Sequence, residues 1–66
     1  MTKSETLALR ALRDCGVIRS HASHQGFSNL RNAGLAVGLN RRVGEQWRTD
    51  WRLTDKGAQV ARVVLS

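Results

Sequence analysis

The sequence predicts an α+β fold in which helices pack on one two- or three-stranded antiparallel sheet that ends in a projecting β-hairpin. Three observations predict it: a capped helical repeat at the N-terminus, two runs of strict alternation about a glycine turn, and a second capped helical repeat at the C-terminus. Residues 1–66 are read as a single domain. At this length one hydrophobic core stabilises by only a few kcal/mol. A homodimer or a larger protein partner is therefore an expectation from size alone.

Thr2-Lys3-Ser4-Glu5 has the form of a capping box, with Thr2 capping an amide three residues on and Glu5 reaching back. Leu7, Ala8, Ala11, Leu12 and Cys15 then recur at the spacing of one helical face, which predicts a helix to about Cys15 with Cys15 on its buried stripe. Gly16 supplies the stop. Val17 and Ile18 form a short apolar pair suited to a sheet edge or to plugging the core. Ser20, Ser23 and Gly26 offer cap or turn chemistry, and Phe27, Leu30 and Ala33 mark a second helix, near 26–33, that ends at Gly34. Its outward face is expected to carry Ser28, Asn29, Arg31 and Asn32, groups that reach base edges or phosphates or simply face solvent.

From Leu35 the period changes to two. Val37, Leu39, Arg41 and Val43 point one way, and Gly38, Asn40 and Arg42 the other. After Gly44-Glu45-Gln46, read as a three-residue connection, Trp47, Thr49, Trp51 and Leu53 alternate with Arg48, Asp50 and Arg52. The packed face is expected to hold both tryptophans near the base of the hairpin. Trp51 is read as core; for Trp47, which lies closer to the tip, core and contact are evenly matched. The other face or the tip presents Arg41, Arg42, Arg48 and Arg52. Thr54 then caps a last helix through about Leu65, with Val60, Ala61 and Val64 facing inwards.

Eleven Lys and Arg against five Asp and Glu give a formal net charge of +6, and nine of the eleven cations are arginine. Such a balance points to a polyanion, and arginine adds a planar fork that binds phosphate or a guanine edge through two hydrogen bonds. A single cysteine excludes an intramolecular disulfide. His21-Ala22-Ser23-His24 with Cys15 is too sparse for a zinc site, which normally pairs ligands at two separate loci. No carboxylate pair, phosphate loop or nucleophile triad is present, so no enzyme activity, small-molecule substrate, cofactor or metal is expected. No apolar run approaches the roughly 20 residues of a membrane span, and Met1 to Glu5 lacks the order of a signal peptide. The expected place is the cytoplasm, in association with the nucleoid.

The order helix, helix, strand, tight turn, strand, helix resembles the winged helix-turn-helix DNA-binding family. Leu30-Arg31-Asn32-Ala33-Gly34-Leu35 is similar to the end of a recognition helix entering the first wing strand. Trp51-Arg52-Leu53-Thr54-Asp55-Lys56-Gly57 is similar to the return strand and next helix of MarR-like and PadR-like regulators. The resemblance implies a recognition helix in the major groove of double-stranded DNA, with the wing on the backbone or in the minor groove. On that basis Ser28, Asn29, Arg31 and Asn32 would read or flank bases, Arg41, Arg42, Gln46 and Arg48 would meet phosphates, and Trp47 would lie in the same interface. The helix-turn-helix part is short: residues 17–33 separate Gly16 from Gly34, against about 20 that two helices and a turn require. Either Ser20 to His24 forms one helical turn in place of a support helix, or the first helix takes that role. The leading expectation is a transcription regulator or DNA-architectural protein. The alternative is a small protein-interaction module, an inhibitor or adaptor of the kind made by a phage or mobile element, with Trp47, Phe27 and the arginines as hot spots.

Overall fold

Thr2 opens the regular structure as its capping box predicts. In the computed structural model, which describes residues 1–21 and 24–65, Thr2 Oγ1 accepts a hydrogen bond from the Glu5 N–H at 3.2 Å. Helix α1 spans Lys3–Cys15, and Gly16, at φ 81°, closes it by donating its N–H to the Leu12 carbonyl. A positive φ of this kind favours glycine. Strand β1 (Val17–Ser20), helix α2 (Gln25–Asn32), strands β2 (Ala36–Val43) and β3 (Gln46–Leu53), and helix α3 (Asp55–Val64) follow.

The sheet is antiparallel with order β1-β3-β2. The last strand in sequence is therefore the central one. Residues β1 and β3 pair from Val17 opposite Arg52 to Ser20 opposite Thr49, whereas β2 and β3 pair from Ala36 opposite Leu53 out to Val43 opposite Gln46. Beyond Ser20 only two strands continue, and the hairpin projects as a free ribbon. Eight residues at about 3.3 Å each make such a strand roughly 26 Å long, which explains why the molecule measures 39 × 19 × 17 Å.

The inner sheet face carries Ile18, Ala36, Gly38, Trp51 and Leu53 against the helices. Trp51, fully buried, is the centre of the core and stacks on Phe27 at 5.6 Å between ring centroids. Ala8, Leu9 and Leu12 of α1, Leu30 of α2, Leu35 just before β2, and Ala61 of α3 complete the buried hydrophobic set around it. Among the described residues the buried Trp51 Nε1–H has no acceptor, a cost of about 1–3 kcal/mol that the buried area of the ring offsets. Gly38 lies opposite Trp51 in the register; a Cβ there would sit 2.9 Å from Trp51 Cζ3 and 2.7 Å from Thr49 Cγ2. The strand pair can accept the indole only because position 38 has no side chain.

Several sequence expectations need correction. Cys15 is exposed and Leu7 is 53% exposed, because the elements packed on α1 bury Ala8, Leu12 and Leu9, the last of which the predicted stripe left out, and only half-bury Ala11. Val64 is likewise exposed, and the buried residues of α3 are Gly57 and Ala61. The hairpin connection has two residues, Gly44 and Glu45, because Gln46 pairs with Val43. Gly44 alone of the two has positive φ, 63°, as a two-residue turn with glycine first requires. Ser20 belongs to β1, and Ala22 and Ser23 of the expected helical turn lie outside the described residues. Among the described residues α2 is the only helix between β1 and β2, and α1 supports it: a Cβ on Gly26 would meet the Ser4 carbonyl oxygen at 2.8 Å and Ala8 Cβ at 3.1 Å. No helix among the described residues is long and apolar enough to cross a membrane.

Thr54 fastens the return from the sheet. Its Oγ1 accepts from the Gly57 N–H at 3.0 Å and donates to the Gly34 carbonyl at 2.8 Å, while its own N–H reaches the Leu35 carbonyl at 3.1 Å. Gly57 packs so tightly on this loop that a Cβ would overlap the Leu35 carbonyl. Thr54→Ala should lose about 1–2 kcal/mol with Thr54→Ser close to wild type, and Gly57→Ala should lose about 3 kcal/mol despite the helix preference for alanine. Urea denaturation followed by circular dichroism checks both.

Candidate nucleic-acid interface

The pleat and the register decide what the ribbon presents. Directly paired residues share a face, so Arg42 stands beside Trp47 on the side continuous with Trp51. Arg41 stands beside Arg48 on the opposite side, with Val43 and Gln46 next along. The structure thus brings Arg41, Arg42, Gln46, Trp47 and Arg48 together in the two-stranded tip, but splits the arginines between its faces. Arg52 does not join them: its neighbours are Val17 and Val37 at the root, about 13 Å along the strand from Arg48.

Trp47 is 65% exposed, which removes the core alternative of its even reading, and with it a place near the base of the hairpin. The alternation that buries Trp51 continues outward past the last helix, so the same face turns from core to surface between Thr49, 2% exposed, and Trp47. Thr49 marks the change with a hydrogen bond of 2.7 Å from its hydroxyl to Asn40 Oδ1. Farther out, the guanidinium groups hold only local neutral acceptors. Arg42 Nε donates to the Gly44 carbonyl at 3.1 Å, and Arg48 donates to the Trp47 carbonyl at 3.0 Å and to Gln46 Oε1. Among the described residues neither forms an ion pair.

The root of the ribbon behaves differently. Asp50 accepts from Arg19 Nε at 3.1 Å and from Arg41 Nη1 at 3.3 Å, one partner on each side of the central strand. Its side chain is only 14% exposed. The Arg19 hydrogen bond, aided by Arg41 and opposed by burial, holds the Asp50 carboxyl below its ordinary value of 3.8. This clamp was not read from the sequence, since Arg19 and Asp50 meet only once β1 is registered against β3.

On α2 the predicted outward face divides. Arg31 and Asn32 are exposed, with the Arg31 guanidinium 5.8 Å from the centroid of the Trp51 ring. Ser28 and Asn29 are half-buried. Asn29 is a correction: it accepts from Gln25 Nε2 at 2.9 Å and donates to Glu5 Oε1 at 3.4 Å, so it joins α2 to α1 rather than facing outward alone. Gln25 takes a place on the exposed ridge that the sequence reading did not assign. His24 caps the helix, its Nδ1 accepting from the Phe27 N–H at 3.4 Å. Ala22 and Ser23 of the His21 to His24 segment lie outside the described residues; among the described residues no group of three or more His, Cys, Asp or Glu could hold a metal.

Comparison of the chain with family models, with curated proteins and with solved structures finds no match. The geometry of the ribbon and of α2 therefore carries the functional argument.

Because folding lowers the Asp50 pKa, the clamp contributes stability that is fully present above the ordinary aspartate value and is lost as pH falls through the lowered one. The wild type should accordingly lose stability below about pH 4 by an increment that Asp50→Asn lacks. Denaturant midpoints of the two proteins, measured as a function of pH, compare them directly.

Proposed function

We propose that this chain binds double-stranded DNA, as a transcription regulator or a DNA-architectural protein, by laying its hairpin along or into a groove and turning the exposed ridge of α2 to the duplex. One observation carries this reading: a two-stranded ribbon that projects beyond the helices and bears Arg42 on one face and Arg41 and Arg48 on the other. A ribbon that is cationic on one side would suit a flat anionic surface. One that is cationic on both sides suits a groove, where phosphates line each wall and the minor groove of B-DNA is only about 6 Å wide. Arg42 and Arg48 are available for this task because neither is neutralised by a described carboxylate. Arg31, Asn32 and Gln25, exposed on α2, supply the polar groups that reach backbone or base edges, with Ser28 between them.

The second reading, a protein-interaction module, is favoured by the outer face of the sheet, where Val17, Val37, Leu39 and Val43 are 44–67% exposed. Leu39→Ser alters that face without changing the charge of the wing. A partner contact there would be lost in this variant, whereas DNA affinity should be unchanged.

Neutralised phosphates release counterions, so affinity for duplex DNA should fall steeply with salt. The double variant Arg42→Ala with Arg48→Ala should flatten the logarithmic salt slope by about two units, read by fluorescence anisotropy over a salt series. Undetectable binding at low salt, or an unaltered slope in the double variant, would rule out the wing as a phosphate contact.

A further inference from the structure

We infer that Trp47 is a base-stacking platform, and that the DNA this wing binds best is a duplex interrupted by an unpaired base or a gap. The inference rests on the proposed DNA binding and specifies the substrate within it. The chain has two tryptophans with opposite fates: Trp51 is 0% exposed and stacks on Phe27, and Trp47 is 65% exposed. The core's need for a large aromatic group is met by the first, and the second stands outside the core cluster. Among the described residues no hydrogen bond, ring contact or cation–π contact involves the Trp47 side chain.

The surroundings of the ring select the ligand chemistry. Arg42 is its direct cross-strand neighbour on the same face, and Arg48, next in sequence, projects from the other face. An apolar anchor for a protein partner would be expected to continue into further apolar surface. On this face the next residues inward from the Arg42 and Trp47 pair are Asn40 and Thr49, joined to each other by a hydrogen bond. A planar ring between guanidinium groups matches instead the face of a base and the phosphates that flank it.

In continuous B-DNA each base is covered on both faces by its neighbours. A wing side chain as large as indole cannot lie flat on a base there without opening a step, and wedging apolar groups into intact duplex unstacks it. A gap or an extrahelical base presents a face already uncovered. The adjoining duplex still offers phosphate walls to Arg41, Arg42 and Arg48, which a single strand lacks.

Anisotropy of labelled oligonucleotides measures the affinities, and intrinsic fluorescence locates the contact: both tryptophans emit, so the share of Trp47, the exposed one, is the quenching that the wild type shows and Trp47→Phe lacks. Three oligonucleotides of equal length are titrated: a continuous duplex, the same duplex with a one-base gap, and the single strand. The gapped duplex should bind about tenfold more tightly than the continuous one, a factor within the usual range for one base stacked on an aromatic ring, and should quench the exposed tryptophan. Trp47→Ala should abolish the preference, bringing gapped and continuous duplexes to equal affinity, and Trp47→Phe should keep part of it. Equal affinity for gapped and continuous duplex, a preference that survives Trp47→Ala, or a single strand bound as tightly as the gapped duplex each overturns the inference while duplex binding itself stands. Failure to bind any of the three overturns both this inference and the proposed DNA binding, and leaves the exposed ring to a protein contact.

Discussion

The structure depends on placing one indole in the middle of a very small core. Trp51 lies on the central strand of the sheet, and burying it requires a stacking partner from α2, supplied by Phe27, and an empty position on the neighbouring strand, supplied by Gly38. Those contacts fix three relations together: the angle at which α2 crosses the sheet, the register of β2 against β3, and the depth at which α1 lays Leu9 and Leu12 over the same ring. A slip of one residue in the hairpin would bring Trp51 to the outer face and Asp50 to the inner one. The register that buries Trp51 therefore also determines which arginines stand on which side of the ribbon. Core and candidate interface are two consequences of a single pairing.

The elements were legible because each carries its own chemical punctuation. Thr2 with Glu5 and Thr54 with Gly57 mark helix starts by local hydrogen bonding that needs no tertiary partner. The hairpin is marked by a period of two that Gly44 interrupts. What the sequence did not disclose was how far each partner extends. The apolar stripe of α1 shows which side chains are able to be buried, yet Leu7 and Cys15 remain exposed because the neighbouring elements do not cover the whole stripe. Trp47 fails as a core residue for the same reason, standing on the correct face but beyond the reach of the helices.

Polar positions were misread by a related route. Asn29 and Glu5 are 24 residues apart, and their hydrogen bond exists only because Gly26 lets α2 approach α1 closely. The sequence offers both residues as surface groups, and only the interhelical distance converts them into a link. The shortened region between β1 and β2 explains why that distance is small. With α2 the only helix described there, α1 provides the support a separate helix would give, through Ala8, Leu9 and Leu12 packed in one core with Phe27 and Leu30.

The distribution of charge is more specific than its sum. Of the formal excess of +6, part is paired within the fold: Asp50 holds Arg19 and Arg41, and Asp14 holds Arg13. Arg42 and Arg48 retain their charge at the tip, where water surrounds the ribbon and few groups compete for them. Asp50 matters to that arrangement because it ties β1 to β2 across β3 on the outer face, one residue before the last point where three strands run side by side. Removing its charge would raise the net positive charge yet loosen the root from which the tip projects. Affinity for a polyanion would gain from the first effect and lose from the second, since a loosened tip must be ordered again when it binds. The placement of a carboxylate among so many arginines is thus consistent with a wing built for a defined geometry rather than for the greatest possible attraction.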